Sequence, residues 1–146
     1  MPTILLINGP NLNKLGSRNQ QLYGSKRLAE IEGDLIAKGK VLGLSIKTFQ
    51  SNHEGQLIDF IQQEAQNAVG IIINPGGLAH SSIVLRDALT DADLPTVEVH
   101  ISNIYGREEF RRKSLTEIGD IKSIVGQGWQ GYFQALTVLS NKIDYE

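Results

Sequence analysis

A chain of 146 residues, with 14 Lys or Arg against 16 Asp or Glu and no cysteine, carries a net charge of −2 and is long enough to bury roughly 68–70% of its unfolded surface around one core. The missing cysteines exclude disulfide scaffolds, cysteine nucleophiles and Cys-based zinc sites, and no basic block suits nucleic acid. No apolar run approaches the ~20 residues of a membrane span and no signal-peptide pattern opens the chain, so one cytoplasmic domain over residues 1–146 is expected.

Thr3–Ile7 is a short apolar run, β-branched enough for a strand buried on both faces. It breaks at the turn cluster Asn8-Gly9-Pro10-Asn11, and the polar loop that follows carries Arg18 and Tyr23. Leu28, Ile31, Leu35 and Leu42 then recur at helical spacing, with Ser25 as a candidate N-cap. Gly33 and Gly39 weaken that helix by about 1 kcal/mol each relative to Ala. Leu44–Phe49 alternates as a strand does. After a loop at Gln50–Gly55, Leu57, Ile58, Ile61, Ala65 and Ala68 mark one helix face. Val69–Ile73, uniformly apolar, is the candidate central strand.

Asn74–Ser82 forms the next loop, followed by a helix with Val84, Leu85, Ala88 and Leu89 in the core. Pro95–His100 is a fourth strand and Ile101–Ser114 a longer loop rich in charge. Ile121–Val125 is a fifth strand. Tyr132, Phe133, Leu136, Leu139 and Ile143 line a closing helix. Alternating β and α segments imply an α/β fold: a five-stranded parallel sheet covered on both faces, in the order 2-1-3-4-5.

Such sheets bind ligands at the carboxyl ends of their strands. Here those ends carry Asn8 and Asn11, then Asn52 and His53, then Asn74 and His80, then His100 and Ser102. In Val97-Glu98-Val99-His100, period-two alternation puts Glu98 and His100 on one side. Their contact would orient the imidazole and favour its charged form, as a general acid requires; the alternative is a structural histidine at a strand end. Tyr23 is either an exposed loop aromatic or a base, and as a base it needs a nearby cation such as Arg18. Asn74-Pro75-Gly76-Gly77 ahead of a helix offers backbone amides and a helix N-terminus to an anion. Ser81 there would serve as a cap. The Arg107–Lys113 cluster is a solvated helix surface from which one arginine could reach inward. No dinucleotide, Walker or nucleophile-elbow spacing occurs. A metal site from His53, His80 and His100 has no support in spacing.

The blocks INGPNLNKLGSR, LYG, FQSNHEGQLID, GIIINPGGLAHSS with LRDAL, VEVHISNIYGREEFR and GQGWQGY together resemble the type II 3-dehydroquinate dehydratases over essentially the whole chain. The resemblance implies a flavodoxin-like fold and anti elimination of water from 3-dehydroquinate through an enolate, without metal or cofactor. The step belongs to the shikimate or the quinate pathway. By motif, Tyr23 corresponds to the base, Arg18 to its cation, and His100, oriented by Glu98, to the acid. Asn11 corresponds to the residue that positions an enolate-stabilising water. Asn74 and the Ile101 and Ser102 amides would hold the substrate carboxylate, and His80 and Arg111 its hydroxyls. Asp87 would act across a subunit contact in a dodecamer built of trimers. Asn19–Leu22 departs from the family's usual acidic residue and proline. Two other classes remain open: a flavodoxin-like module binding FMN or another anion, and an inactive homologue kept as an assembly scaffold.

Overall fold

The computed structural model describes residues 1–143. Five parallel strands, β1 (Thr3–Asn8), β2 (Ser45–Gln50), β3 (Gly70–Asn74), β4 (Thr96–His100) and β5 (Ile124–Val125), lie in the order β2-β1-β3-β4-β5. The expected flavodoxin-like order is therefore present, with the direction of winding reversing between β1 and β3. A one-turn helix α1 (Gln20–Tyr23) precedes four longer ones: α2 (Leu28–Val41), α3 (Glu54–Glu64), α4 (Ile83–Ala92) and α5 (Gln130–Ile143).

The unbroken apolar runs of β1 and β3 reflect burial on both faces. Ile4, Leu6 and Ile72 pack with Leu28, Ile31 and Leu35 of α2 and Leu136 and Leu139 of α5. Leu5, Ile7, Ile71 and Ile73 turn the other way, onto Leu57 and Ile61 of α3 and Leu85 and Leu89 of α4. Alternate residues of one strand thus feed two cores, giving three layers. Each fully buried Leu or Ile contributes roughly 1.5–3 kcal/mol relative to exposure.

Several local expectations change. The loop between β1 and α2 contains the helical turn α1, capped by Asn19, whose Oδ1 accepts from the Gln21 N–H at 3.2 Å. Arg27, not Ser25, stands at the N-cap of α2, where Glu30 Oε1 accepts the Arg27 N–H at 3.1 Å. Leu42 lies past the end of α2 and is exposed, while Leu44 takes the core position. Gly39 has a packing role: a Cβ there would meet Ile46 Cγ1 at 2.8 Å, so α2 lies close on β2 because the side chain is missing. The apolar pattern of α3 continues as a 3₁₀ turn at Ala65–Asn67. Of the fifth strand only Ile124–Val125 pairs, as befits a sheet edge. Among the described residues no helix is long and apolar enough to cross a membrane.

Candidate active site

The carboxyl ends of β1, β3 and β4 open into one cleft of about 140 Å³. Their loops interlock there. A Cβ on Gly9 would sit 2.5 Å from the Pro75 carbonyl oxygen, so the turns after β1 and β3 touch backbone to backbone. The Gly9 N–H donates to the Asn74 carbonyl at 2.8 Å, continuing the strand pairing into the turn. Asn11 follows with φ 73°, a left-handed conformation that asparagine tolerates better than most residues. Its N–H donates to Asn52 Oδ1 at 2.9 Å, which ties the β1 loop to the β2 loop.

Asn11, Arg18, Tyr23, Asn74, His80, His100, Ser102 and Arg111 all line this cleft. Glu98 lies behind His100, and Ile101 is buried beside Ser102. Asp87 is exposed on α4 and does not line the cleft of its own chain, and His53 stands at the start of α3, outside it. Among the described residues no three His, Asp or Glu side chains form a group able to hold a metal. A larger cleft of about 490 Å³ at the opposite end of β4, lined by Arg86, Glu117 and Lys142 among others, contains none of the candidate residues.

Two guanidinium groups converge on the Tyr23 hydroxyl. Arg18 Nη2 donates to it at 3.2 Å, with its guanidinium carbon 4.0 Å from the ring centroid. Arg107 Nη1 donates at the shorter distance of 2.7 Å. A negative charge on that oxygen would therefore meet two cations. Nothing in the sequence distinguishes Arg107, because an arginine in a charged loop looks like its neighbours. That loop is not a helix surface. It runs through 3₁₀ turns at Ile104–Gly106 and Glu109–Arg111, which bring both Arg107 and Arg111 to the cleft and leave Arg112 and Lys113 exposed.

His100 Nε2 donates to Glu98 Oε2 at 2.9 Å, as strand alternation predicts, which leaves Nδ1 as the ring's second nitrogen. Glu98 is 2% exposed, and a buried carboxylate needs donors. Ser114 Oγ supplies one at 2.6 Å, Ser123 Oγ another at 3.3 Å and Thr116 Oγ1 a third on the other oxygen. Burial pushes the Glu98 pKa up, but the hydrogen bond and charge of His100, with Ser114 and Thr116, outweigh it and hold the group below the ordinary carboxylate range. The three hydroxyls come from the end of the charged loop and the stretch leading into β5, and nothing in the local sequence points them at Glu98. His80 is fixed by the same segment: its Nδ1 donates to the Lys113 carbonyl at 2.8 Å, and its ring lies 6.2 Å from that of His100.

The anion-binding expectation for residues 74–82 changes in detail. Gly76–His80 is a 3₁₀ turn, and α4 begins only at Ile83. Its N-cap is Ser82 rather than Ser81; Ser82 Oγ accepts from the Leu85 N–H at 3.0 Å and donates to Glu54 at 2.5 Å. The polar groups offered to the cleft from this stretch are thus those of the 3₁₀ turn and of Asn74, not the α4 terminus.

A family description, dehydroquinase class II, matches residues 2–140. The chain belongs to the class II dehydroquinases. It is 52% identical to a 3-dehydroquinate dehydratase of Endomicrobium trichonymphae over 93% of this chain and 95% of that one. A 3-dehydroquinate dehydratase of Bacillus subtilis is 46% identical, covering 95% of this chain and 94% of the relative. The crystal structure of type II dehydroquinase from Butyrivibrio crossotus superposes with a TM-score of 0.91 at 44% identity, over 94% of this chain and 97% of that one. The enzyme from Propionibacterium acnes gives 0.92 at 38% identity, over 97% of each chain. Membership of this family favours the dehydroquinase over the FMN-module alternative.

Proposed function

We propose that this dehydroquinase is a 3-dehydroquinate dehydratase, a hydro-lyase that removes water from 3-dehydroquinate to give 3-dehydroshikimate. Two features of one small cleft support the reading: a phenol oxygen held between Arg18 and Arg107, and an imidazole backed by a buried carboxylate. The first suits proton abstraction and the second suits proton delivery.

Tyr23, as phenolate, takes the proton next to the ketone, and the electron pair moves onto the carbonyl oxygen to form an enolate. Asn11 orients a water that hydrogen-bonds to this oxygen, since preorganised donors are worth most where charge develops. The enolate then re-forms the carbonyl and expels the hydroxyl on the opposite face. His100, protonated at Nδ1, gives that hydroxyl its proton and water departs. Glu98 holds the ring and balances its charge. Transfer of one proton from Tyr23 to His100 through solvent resets the site. Asn74 with the Ile101 and Ser102 amides binds the carboxylate, and His80 and Arg111 bind ring hydroxyls. The chemistry needs no cofactor.

The observation that carries the proposal is the double guanidinium contact to Tyr23. Tyr23→Phe keeps the ring and removes the base, so turnover should fall by about 10²–10⁴-fold, measured as ultraviolet absorbance of the conjugated enone product. Near-normal turnover in that variant would end the proposal, whereas an unaltered protein that assembles but does not dehydrate 3-dehydroquinate would leave the scaffold reading in its place.

Asp87, exposed on α4 beside the exposed apolar Ile83 and Val84, supports the reading that it serves a neighbouring subunit in a dodecamer of trimers. Sedimentation should give that mass in solution. A monomer with full activity would exclude the role of Asp87. We place the enzyme in the cytoplasm, consistent with its cysteine-free sequence.

A further inference from the structure

The GQGWQGY block ends in Tyr132, which the mechanism above does not use. It is fully buried on α5, yet its hydroxyl reaches the ends of two strands. It donates to Asn8 Oδ1 at 2.6 Å and accepts from Asn74 Nδ2 at 3.0 Å. Asn8 and Asn74 are register partners at the carboxyl ends of β1 and β3, and Asn74 lines the cleft.

The polarity of this chain is determined. Burial pushes the Tyr132 pKa up, so the hydroxyl keeps its single proton, and that proton is committed to Asn8. Its oxygen can then only accept from Asn74. At the other end of the carboxamide, Asn74 Oδ1 accepts the Gly76 N–H at 3.1 Å. One N–H of Asn74 remains, and it is a donor. We propose that Tyr132 is a positioning residue, whose hydroxyl, oriented by Asn8, locks the Asn74 carboxamide so that it offers the cleft an N–H rather than a carbonyl oxygen.

The distinction matters because rotating a carboxamide by half a turn exchanges donor for acceptor, and an acceptor repels a carboxylate. The inference rests on the reading of Asn74 as a carboxylate ligand. A second observation points the same way. Asn8 is fully buried and its Nδ2 has no hydrogen-bond partner among the described residues. An apolar residue would fill a core site at lower cost, so what distinguishes Asn8 is the acceptor it gives the Tyr132 proton.

The test is a double-mutant cycle on the intact enzyme, with KM and kcat for 3-dehydroquinate and a thermal melt for each variant. Asn74→Ala should raise KM. Tyr132→Phe should raise KM roughly fivefold to tenfold, with a smaller change in kcat. In the Asn74→Ala background the same substitution should change KM by less than about twofold, since the two act as one unit. If Asn74→Ala leaves KM unchanged, the carboxylate role fails and this inference with it. If Asn74→Ala raises KM but Tyr132→Phe only lowers the melting temperature, the positioning role alone is overturned. An undiminished effect of Tyr132→Phe in the Asn74→Ala background also overturns it. Should Tyr132→Phe not accumulate folded, Asn8→Leu removes the acceptor for the tyrosine proton and must raise KM in the same way.

Discussion

Arg107 offers the sharpest test of how Tyr23, the proposed base, is held. Its Nη1 lies 2.7 Å from the Tyr23 oxygen, against 3.2 Å for Arg18 Nη2, and its side chain is 16% exposed, so solvent screens it little. Its remaining contacts are weaker: Ser102 Oγ at 3.4 Å, and the exposed Glu108 with its carboxylate at 3.9 Å. A hydrogen bond to a charged group contributes about 1.5–3 kcal/mol, which converts to a loss of about 10- to 150-fold. Arg107→Ala should therefore lower kcat by that factor, because the contact matters most once the oxygen is charged, while KM moves less. Arg107→Lys restores charge without the planar fork and should fall between. Steady-state assays at saturating 3-dehydroquinate, with and without Arg18→Ala, give the answer. A loss under about threefold, or one confined to KM, would refute the idea that Arg107 supports the base.

Two further outcomes follow from the strand ends. The Glu98 pKa is depressed in the folded protein, because its hydrogen bonds and the imidazole outweigh burial. Its contribution to stability should be complete above the unfolded carboxylate value of about 4.3 and disappear as pH falls through the lower folded value. In denaturant titrations the stability gap between the unaltered enzyme and Glu98→Gln should thus shrink on acidification below about pH 4; a gap that widens there would contradict the sign. Gly9→Ala drives a Cβ against the Pro75 carbonyl, with backbone on both sides and no flexible side chain to give way. It should cost about 1–3 kcal/mol in denaturant unfolding and lower activity through displaced Asn11 and Asn74. Unchanged stability and activity would mean that the two turns are not in register as described.

The sheet was legible because its evidence is local. Continuous apolar runs in β1 and β3 can be satisfied only between two layers, and helices alternating with the strands leave a parallel order with few options. The strand ends were legible for the same reason: counting two residues back from His100 puts Glu98 beneath it, as the 2.9 Å contact bears out. The resemblance then supplied roles for residues whose local surroundings are uninformative, Asn11 and Asp87 among them.

Tertiary structure decided whatever depends on distant partners. The contact between Tyr23 and Arg107 spans 84 residues and that between Tyr132 and Asn8 spans 124; periodicity reports which face a residue occupies, not which loop arrives above it. The hydroxyls of Ser114, Thr116 and Ser123 look like ordinary loop or edge-strand residues until the fold brings them to one buried carboxylate. Ser82 rather than Ser81 caps α4 for a similar reason, since the turn at Gly76–His80 fixes where the helix can start. Sequence determined the frame through short-range pattern and, with the resemblance, named candidate groups for the site. Packing alone decided which cations and hydroxyls stand close enough to hold those groups in working order, because a hydrogen bond needs an approach of about 3 Å that no spacing along the chain specifies.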